Sequence, residues 1–237
     1  MLESVNIQDV QKKLYQKLIP SGWSDPLKGF ILSGDFTNIL NTLLEQAKDN
    51  RRFTPVLKQV FRCFEECPYN SLKVVLLSPE PYPYPDVADG LAFSCSNNHK
   101  LQASLRYMLR DINQNIYQEE DREVITDLKC WANQGVLLLN LSLTTTINKI
   151  EQHQNLWSPF ITYLFDILSH KNKNIIYVFL GKKSREWESS ILDDNYKLFC
   201  THPASASQNN LQYWESGNIF GKINEILINN NKQQIIW

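Results

Sequence analysis

Apolar positions recur at helical spacing early in the chain and later give way to short unbroken apolar runs. Val5, Val10, Leu14 and Leu18 share one face of a helix predicted over residues 5–19, which Pro20, Ser21 and Gly22 end. Asp35 is placed to cap a second helix running to about Asp49, with Leu40, Leu43, Leu44 and Ala47 on its inner face. Phe53, Thr54 and Pro55 break the pattern, and residues 56–66 resume it through Val56, Val60, Phe61 and Phe64. A further helix begins near Ala103, with Ser104 as its cap and apolar positions continuing to Ile116. Another begins at Ser158 and turns Phe160, Leu164, Phe165 and Leu168 inward. Between the helices, the apolar runs at residues 74–77, 136–139, 175–180 and 197–200 read as buried strands. Residues 118–127, with Glu119, Glu120, Asp121 and Arg122, read as an exposed charged loop. Strands alternating with helices predict an α/β fold. No linker, repeat or low-complexity run divides residues 1–237, so a single domain is expected.

Composition narrows the classes of function. A length of 237 residues allows a substantial core. The formal net charge of −1 is no footprint of a generally basic nucleic-acid binder, so any contact with DNA requires a local basic face. The 5 cysteines are Cys63, Cys67, Cys95, Cys130 and Cys200; widely spread and without a CxxC pair, they read as reduced thiols rather than a metal or cluster site. The start of the sequence lacks the apolar stretch of a signal peptide and no run has the length of a membrane span, so an intracellular protein is expected.

The stretch after the first strand run carries the chemistry. Pro79, Pro81, Pro83 and Pro85 forbid both helix and ladder, so the chain turns sharply, with Glu80 between two of the prolines. Loops past the carboxyl ends of strands are where open α/β sheets keep their sites. On composition alone, a rigid surface loop with one solvated carboxylate is an equal reading. This stretch resembles the water-activating loop of family 1 uracil-DNA glycosylases: Gly-Gln-Asp-Pro-Tyr-His-Gly, a spacer, then Gly-Leu-Ala-Phe-Ser. Pro81, Tyr82, Gly90, Leu91, Ala92, Phe93 and Ser94 match without a gap. Glu80 falls at the catalytic Asp, Pro83 and Tyr84 replace His-Gly, and Ser78 and Pro79 replace Gly-Gln. A related glycosylase family with an iron–sulfur cluster has Glu in the corresponding motif, but its cysteine spacing is absent from this chain.

Three further segments follow in family order. Trp131, Ala132, Gln134, Gly135, the run 136–139, Asn140, Leu143 and Thr144 resemble Trp-Ala-x-Gln-Gly-Val-Leu-Leu-Leu-Asn-x-x-Leu-Thr. There the Asn reads the uracil edge. An amide places an acceptor beside a donor, which suits N3–H and O4; cytosine reverses the pattern and leaves each buried amide atom unpaired, at about 1–3 kcal/mol apiece. The family's Ser-His segment before a Trp corresponds to His153 and Trp157 with one residue fewer; a lone His near a helix start is usually structural or solvated. Gly181 and Lys182 stand at the family's phosphate-binding Gly-Ser, with a solvated basic turn as the equal alternative. Thr201 to Ser207 resembles His-Pro-Ser-Pro-Leu-Ser: His202 and Pro203 match, and Ala206 replaces the leucine that enters the base stack. Thr54 and Pro55 match the family's proline-rich DNA-backbone loop poorly, and an interhelical turn serves as well. Residues 220–227 and 235–237 resemble its closing helix and last strand.

The resemblance implies a central, mostly parallel four-stranded sheet with helices on both faces and hydrolysis of the N-glycosidic bond of deoxyuridine in DNA. Glu80 and His202 would be catalytic. Pro81, Tyr82, Phe93 and Asn140 would bind the base. Gly181, Lys182, Ser205, Ala206 and Ser207 would meet the DNA. No metal or cofactor is implied. The expected partner is uracil-containing DNA, single-stranded in preference to duplex, with a protein inhibitor of glycosylases as a second candidate. No membrane is expected, and the chain is expected to be a monomer. Leucine at position 206 is expected to raise the rate on duplex. Because Glu moves the charge about one bond further out, and misplacement by about 1 Å costs up to ~10²-fold, the level of activity is open. A non-enzymatic binding module on a decayed fold is the rival. Retention of Tyr82, Phe93, Asn140 and His202 together opposes it, and Tyr82 opposes a glycosylase for 5-modified pyrimidines.

Overall fold

The structure, a computed structural model, describes residues 6–49, 52–119, 122–171 and 173–237. In chain order the elements are α1 (Ile7–Lys17), α2 (Ser24–Ile31), α3 (Gly34–Lys48), β1 (Phe53–Thr54), α4 (Arg62–Glu66), β2 (Val74–Ser78), α5 (Ala103–Ile112), α6 (Lys129–Ala132), β3 (Val136–Asn140), β4 (Thr145–Thr146), α7 (Gln154–Lys171), β5 (Ile176–Leu180), α8 (Lys182–Arg185), β6 (Tyr196–Cys200), α9 (Pro203–Gln208) and α10 (Ile219–Asn229). Val5, Glu120 and Asp121 of the predicted helix and charged loop lie outside the described residues.

The four predicted strands form one sheet in the order β3-β2-β5-β6, and every neighbouring pair is parallel. All residues of β2, β3 and β5 are buried, so both faces of the sheet are covered; β6 forms an edge and is partly exposed. Parallel strands need crossover connections, and the helices supply them. One aromatic cluster joins Phe30, Phe36, Phe61, Phe64, Trp157 and Phe160, tying α2, α3 and α4 to α7. A second joins Trp131, Phe220 and Trp237, tying α6 and α10 to the end of the chain.

Several boundaries differ from the sequence expectation for local reasons. Ser33, not Asp35, caps α3: its hydroxyl accepts the Phe36 N–H at 3.2 Å, and Asp35 lies in the first turn. Gln102 rather than Ser104 precedes α5, which ends at Ile112 in a π-turn over Asn113–Tyr117. The helical pattern at 56–66 is split between a 3-10 turn, Leu57–Gln59, and α4. α7 begins at Gln154, a turn earlier than expected, with Pro159 inside it. Thr54 is not part of an interhelical turn but pairs with Thr145 in a two-stranded antiparallel ribbon, β1–β4. Residues 235–237 form no strand; side-chain amides hold them instead, Asn224 bonding both backbone groups of Ile235 and Gln134 accepting the Ile236 N–H. Among the described residues no helix is long and apolar enough to cross a membrane.

Candidate active site

Because the sheet is parallel, its carboxyl ends share one edge. Ser78 and Asn140 are register partners at the ends of β2 and β3, while β5 and β6 lead into Gly181 and His202. The loops leaving β2 and β3 are tied together, Leu141 N–H donating to Ser78 O at 2.8 Å and Ser142 N–H to Pro79 O at 3.0 Å. A cavity of about 350 Å³ opens at this edge, walled by Ser78, Glu80, Pro81, Tyr82, Phe93 and His202, with the more exposed Tyr84, Ile150, Glu151, Lys183 and Gln208 around it.

Glu80 reaches into the cavity half-buried. Its Oε2 accepts the Thr145 hydroxyl at 2.9 Å and the Glu151 N–H at 2.8 Å. Burial raises its pKa above the ordinary carboxylate value, the Glu151 carboxylate adds to the rise, and the two hydrogen bonds and Lys183 oppose it. A base with a raised pKa holds a proton more readily when it abstracts one from water.

Phe93 and Tyr82 form the apolar wall. Phe93 is buried in the left-handed region at φ 67°, a conformation uncommon for a bulky residue. The fully buried carboxylate of Asp89 holds its loop there. It accepts the Leu91 N–H, the Ser96 N–H and the hydroxyls of Ser94 and Ser96, and it pairs with Arg62 at 2.9 Å. Arg62 in turn grips Asp127 with 2.8 and 2.9 Å bonds. The Tyr82 hydroxyl donates to Phe93 O at 3.2 Å, and burial raises its pKa. The Phe93 ring lies 5.4 Å from the His202 ring, tilted by 36°.

His202 caps α9. Its Nδ1 accepts the Ala204 N–H at 3.2 Å, which assigns the remaining proton to Nε2. Burial lowers its pKa to about 4, so near neutrality the ring is an uncharged Nε2–H donor. Asn140 does not line the cavity. It is 4% exposed next to Ser78, and its Oδ1 has no hydrogen-bond partner among the described residues. A buried acceptor left without a partner costs about 1–3 kcal/mol.

The residues expected to meet DNA divide. Lys182 is exposed, and Ser205 and Ser207 are partly so, although the Ser205 hydroxyl is already committed to His202 O at 2.7 Å. The Gly181 N–H is committed to Cys200 O at 2.9 Å and is not free for a phosphate. Ala206 is 1% exposed and belongs to the core, so it meets no DNA. His153 is structural: 1% exposed, it bonds Thr144 through Nδ1 and Gln46 through Nε2, and burial lowers its pKa. Thr145, Glu151, Lys183, Asp89 and Arg62 also serve the site and stand outside the matched motif residues. Only Asp89, one residue before the matched Gly90, carried any signal in the sequence.

Fold and site together define an α/β protein with a strand-end cavity lined by a half-buried carboxylate and a neutral imidazole. The profile of the uracil DNA glycosylase superfamily matches residues 64–228. A uracil-DNA glycosylase of Wolinella succinogenes is 31% identical over 231 residues, covering 93% of this chain and 94% of the relative. One from Acinetobacter baylyi is 27% identical over 227 residues, covering 95% and 94%. The crystal structure of mimivirus uracil-DNA glycosylase shares the fold with a TM-score of 0.83 at 24% identity, over 94% of this chain and 88% of that one. The chain belongs to the uracil DNA glycosylase superfamily. Its activity is that of a DNA repair glycosylase, hydrolysing the N-glycosidic bond of uracil in DNA, and the binding-module alternative is not favoured.

Proposed function

We propose that the residues at the strand ends divide the reaction as follows. The uracil nucleotide leaves the stack to reach the cavity, as chemistry on a base requires. Phe93 stacks on the base. Tyr82 and Pro81 wall the position where a thymine 5-methyl would need room, and Asn140 reads the edge. The C1′–N1 bond breaks with its electron pair moving onto the uracil ring, and His202 Nε2–H stabilises the charge growing on O2. Glu80 orients a water whose oxygen bonds to C1′, takes its proton, and favours the cationic sugar while its own charge persists. Lys182 and Ser207 meet the backbone. The observation that carries this reading is the unpartnered Oδ1 of Asn140, a buried acceptor of the kind that suits the N3–H of uracil, on the register partner of the cavity residue Ser78.

The preferred substrate is uracil in single-stranded DNA ahead of duplex, and the chain acts as a monomer inside the cell, where DNA is. A mimivirus UNG variant solved in complex with UGI shares the fold with a TM-score of 0.81 at 24% identity, over 91% of this chain and 87% of that one. That likeness supports a protein inhibitor as a second partner here.

Cleavage of a uracil-containing oligonucleotide, read on a gel, tests the assignment. Glu80→Gln lowers turnover at least ~10²-fold with DNA binding little changed, and Asn140→Asp admits cytosine. Wild-type release of thymine as fast as uracil, or unchanged turnover in Glu80→Gln, overturns it.

A further inference from the structure

Glu80 is tethered by one oxygen. Oε2 takes both donors, the Thr145 hydroxyl and the Glu151 N–H, and no hydrogen bond reaches Oε1 among the described residues. Thr145 is fully buried, and its backbone is fixed by pairing with Thr54 across the β1–β4 ribbon. Its single hydroxyl proton has two acceptors in reach, Glu80 Oε2 and Lys149 O at 3.1 Å. The charged oxygen makes the stronger bond and holds the proton while Glu80 is ionised.

Glu151 completes the tether from an unusual position. At φ 62° it sits in the left-handed region, where a residue with a long side chain is uncommon. The segment leading to it is anchored by two backbone bonds, Ile147 N–H donating to Arg52 O at 2.9 Å and Asn148 N–H to Pro83 O at 2.6 Å. The Glu151 carboxylate pairs with Lys183 Nζ at 2.5 Å, both residues bordering the cavity. An ion pair this exposed adds little to global stability. Its effect is local, since it fixes the residue whose N–H, alone among the described residues, points at Oε2.

We propose that Thr145 and Glu151, latched by Lys183, are positioning residues for Glu80: they draw back the longer carboxylate by Oε2 so that only Oε1 is presented to water. This rests on the reading of Glu80 as the water-orienting carboxylate. It supplies what that reading lacked, a reason why an acid one bond longer than the family's aspartate still fits. It also gives Lys183 a role separate from that of neighbouring Lys182, which has no carboxylate partner among the described residues.

The groups facing Glu80 are Thr145, the charged Glu151 and Lys183, and, around the cavity, Tyr82, Tyr84 and His202. Loss of the Thr145 donor removes a bond that favours the ionised acid, so the acidic limb of the pH–rate profile moves to higher pH. Loss of the Lys183–Glu151 pair frees the turn and lowers kcat.

The test measures kcat and KM against pH on a single-stranded uracil oligonucleotide, with Glu80→Gln in parallel. Thr145→Val should lower kcat about 10-fold, within the range for sub-ångström misplacement, raise the acidic limb and leave KM alone; Thr145→Ser should restore both. Glu151→Lys and Lys183→Glu should each lower kcat while moving KM in opposite directions, because one adds and the other removes positive charge near DNA. The double exchange, which rebuilds the pair with its charges swapped, should recover most of the lost kcat. If the single variants change only KM, or the double exchange recovers nothing, Lys183 is simply a phosphate contact and the latch is wrong. If Glu80→Gln itself turns over normally, the reading of Glu80 fails first, and the two failures are told apart.

Discussion

Gly181 and His202 lie against each other at the ends of β5 and β6: a Cβ added at Gly181 would stand 3.0 Å from the His202 Cβ. Gly181 also holds φ 86°, which a side chain strains wherever the space. Gly181→Ala therefore acts twice, through about 1 kcal/mol or more of backbone cost and by pushing the imidazole off its line. Single-turnover uracil release should fall about 10-fold or more, with oligonucleotide binding nearly unchanged. An unaltered rate would mean that His202 tolerates displacement and is not the donor to O2.

Asp89 and Arg62 hold the Phe93 loop from behind. The carboxylate is fully buried and organises four donors besides the guanidinium. Asp89→Ala strands Arg62 partly paired and leaves those donors open. Breaking a buried pair from one side costs about 3–5 kcal/mol, so urea unfolding should show a loss of that order, and the remaining folded protein should bind free uracil more weakly. A loss under about 1 kcal/mol would mean that water replaces the carboxylate.

These two pairs also show what was legible in the sequence. The strands were, because an unbroken apolar run has one destination in a parallel sheet, and their ends carried the residues that matched the family. His202 and Glu80 line one cavity because parallel strands must end on one side. The tether on Glu80 was not legible. Thr145 and Glu151 lie more than sixty residues away in the chain, and nothing in a Thr or a Glu announces a bond formed by folding. Ala206 was misassigned for a related reason: its place in a motif says nothing about which way a six-residue helix turns, and the helix turned it inward. Short elements such as α6 and α8 went unseen because four residues cannot display a helical period.

Acid should weaken the fold through His202. Its folded pKa of about 4 lies below the ordinary histidine value of 6.5, so the unfolded chain binds the proton first as pH falls. The stability it contributes is full above about pH 6.5, declines below that, and is gone near pH 4. His202→Asn keeps a side-chain acceptor at the helix cap and removes the titration. Between pH 7 and pH 4.5, its unfolding free energy should fall less than that of the wild type, by on the order of 1–3 kcal/mol. His153 shifts in the same direction but is common to both proteins and cancels. Equal slopes would show that His202 titrates normally and that burial does not hold its ring neutral below pH 6.5.

Strand preference turns on what fills the gap left by an extruded base. Extrusion costs a few kcal/mol in duplex and least where the strand is already single. The family's leucine position holds Ala206, which is buried and cannot enter a base stack. Leucine there, the change the sequence suggested, would instead overpack the core beneath α9 at about 1–3 kcal/mol. Gln208 is the better site, being exposed and on the cavity wall. With no wedge, wild-type enzyme should release uracil fastest from single strand, more slowly opposite guanine and slowest opposite adenine, in matched oligonucleotides at fixed salt. Gln208→Leu should raise the duplex rate more than the single-strand rate. One native side chain could overturn this order. Leu211 is 42% exposed, and its backbone is pinned on both sides, its N–H donating to Ala206 O at 2.9 Å and its carbonyl accepting the Tyr107 hydroxyl at 2.7 Å. Both bonds hold its backbone and leave the side chain exposed. If wild-type rates on single strand and duplex prove equal, Leu211 fills the gap, and Leu211→Ala should then slow the duplex reaction while sparing the single strand.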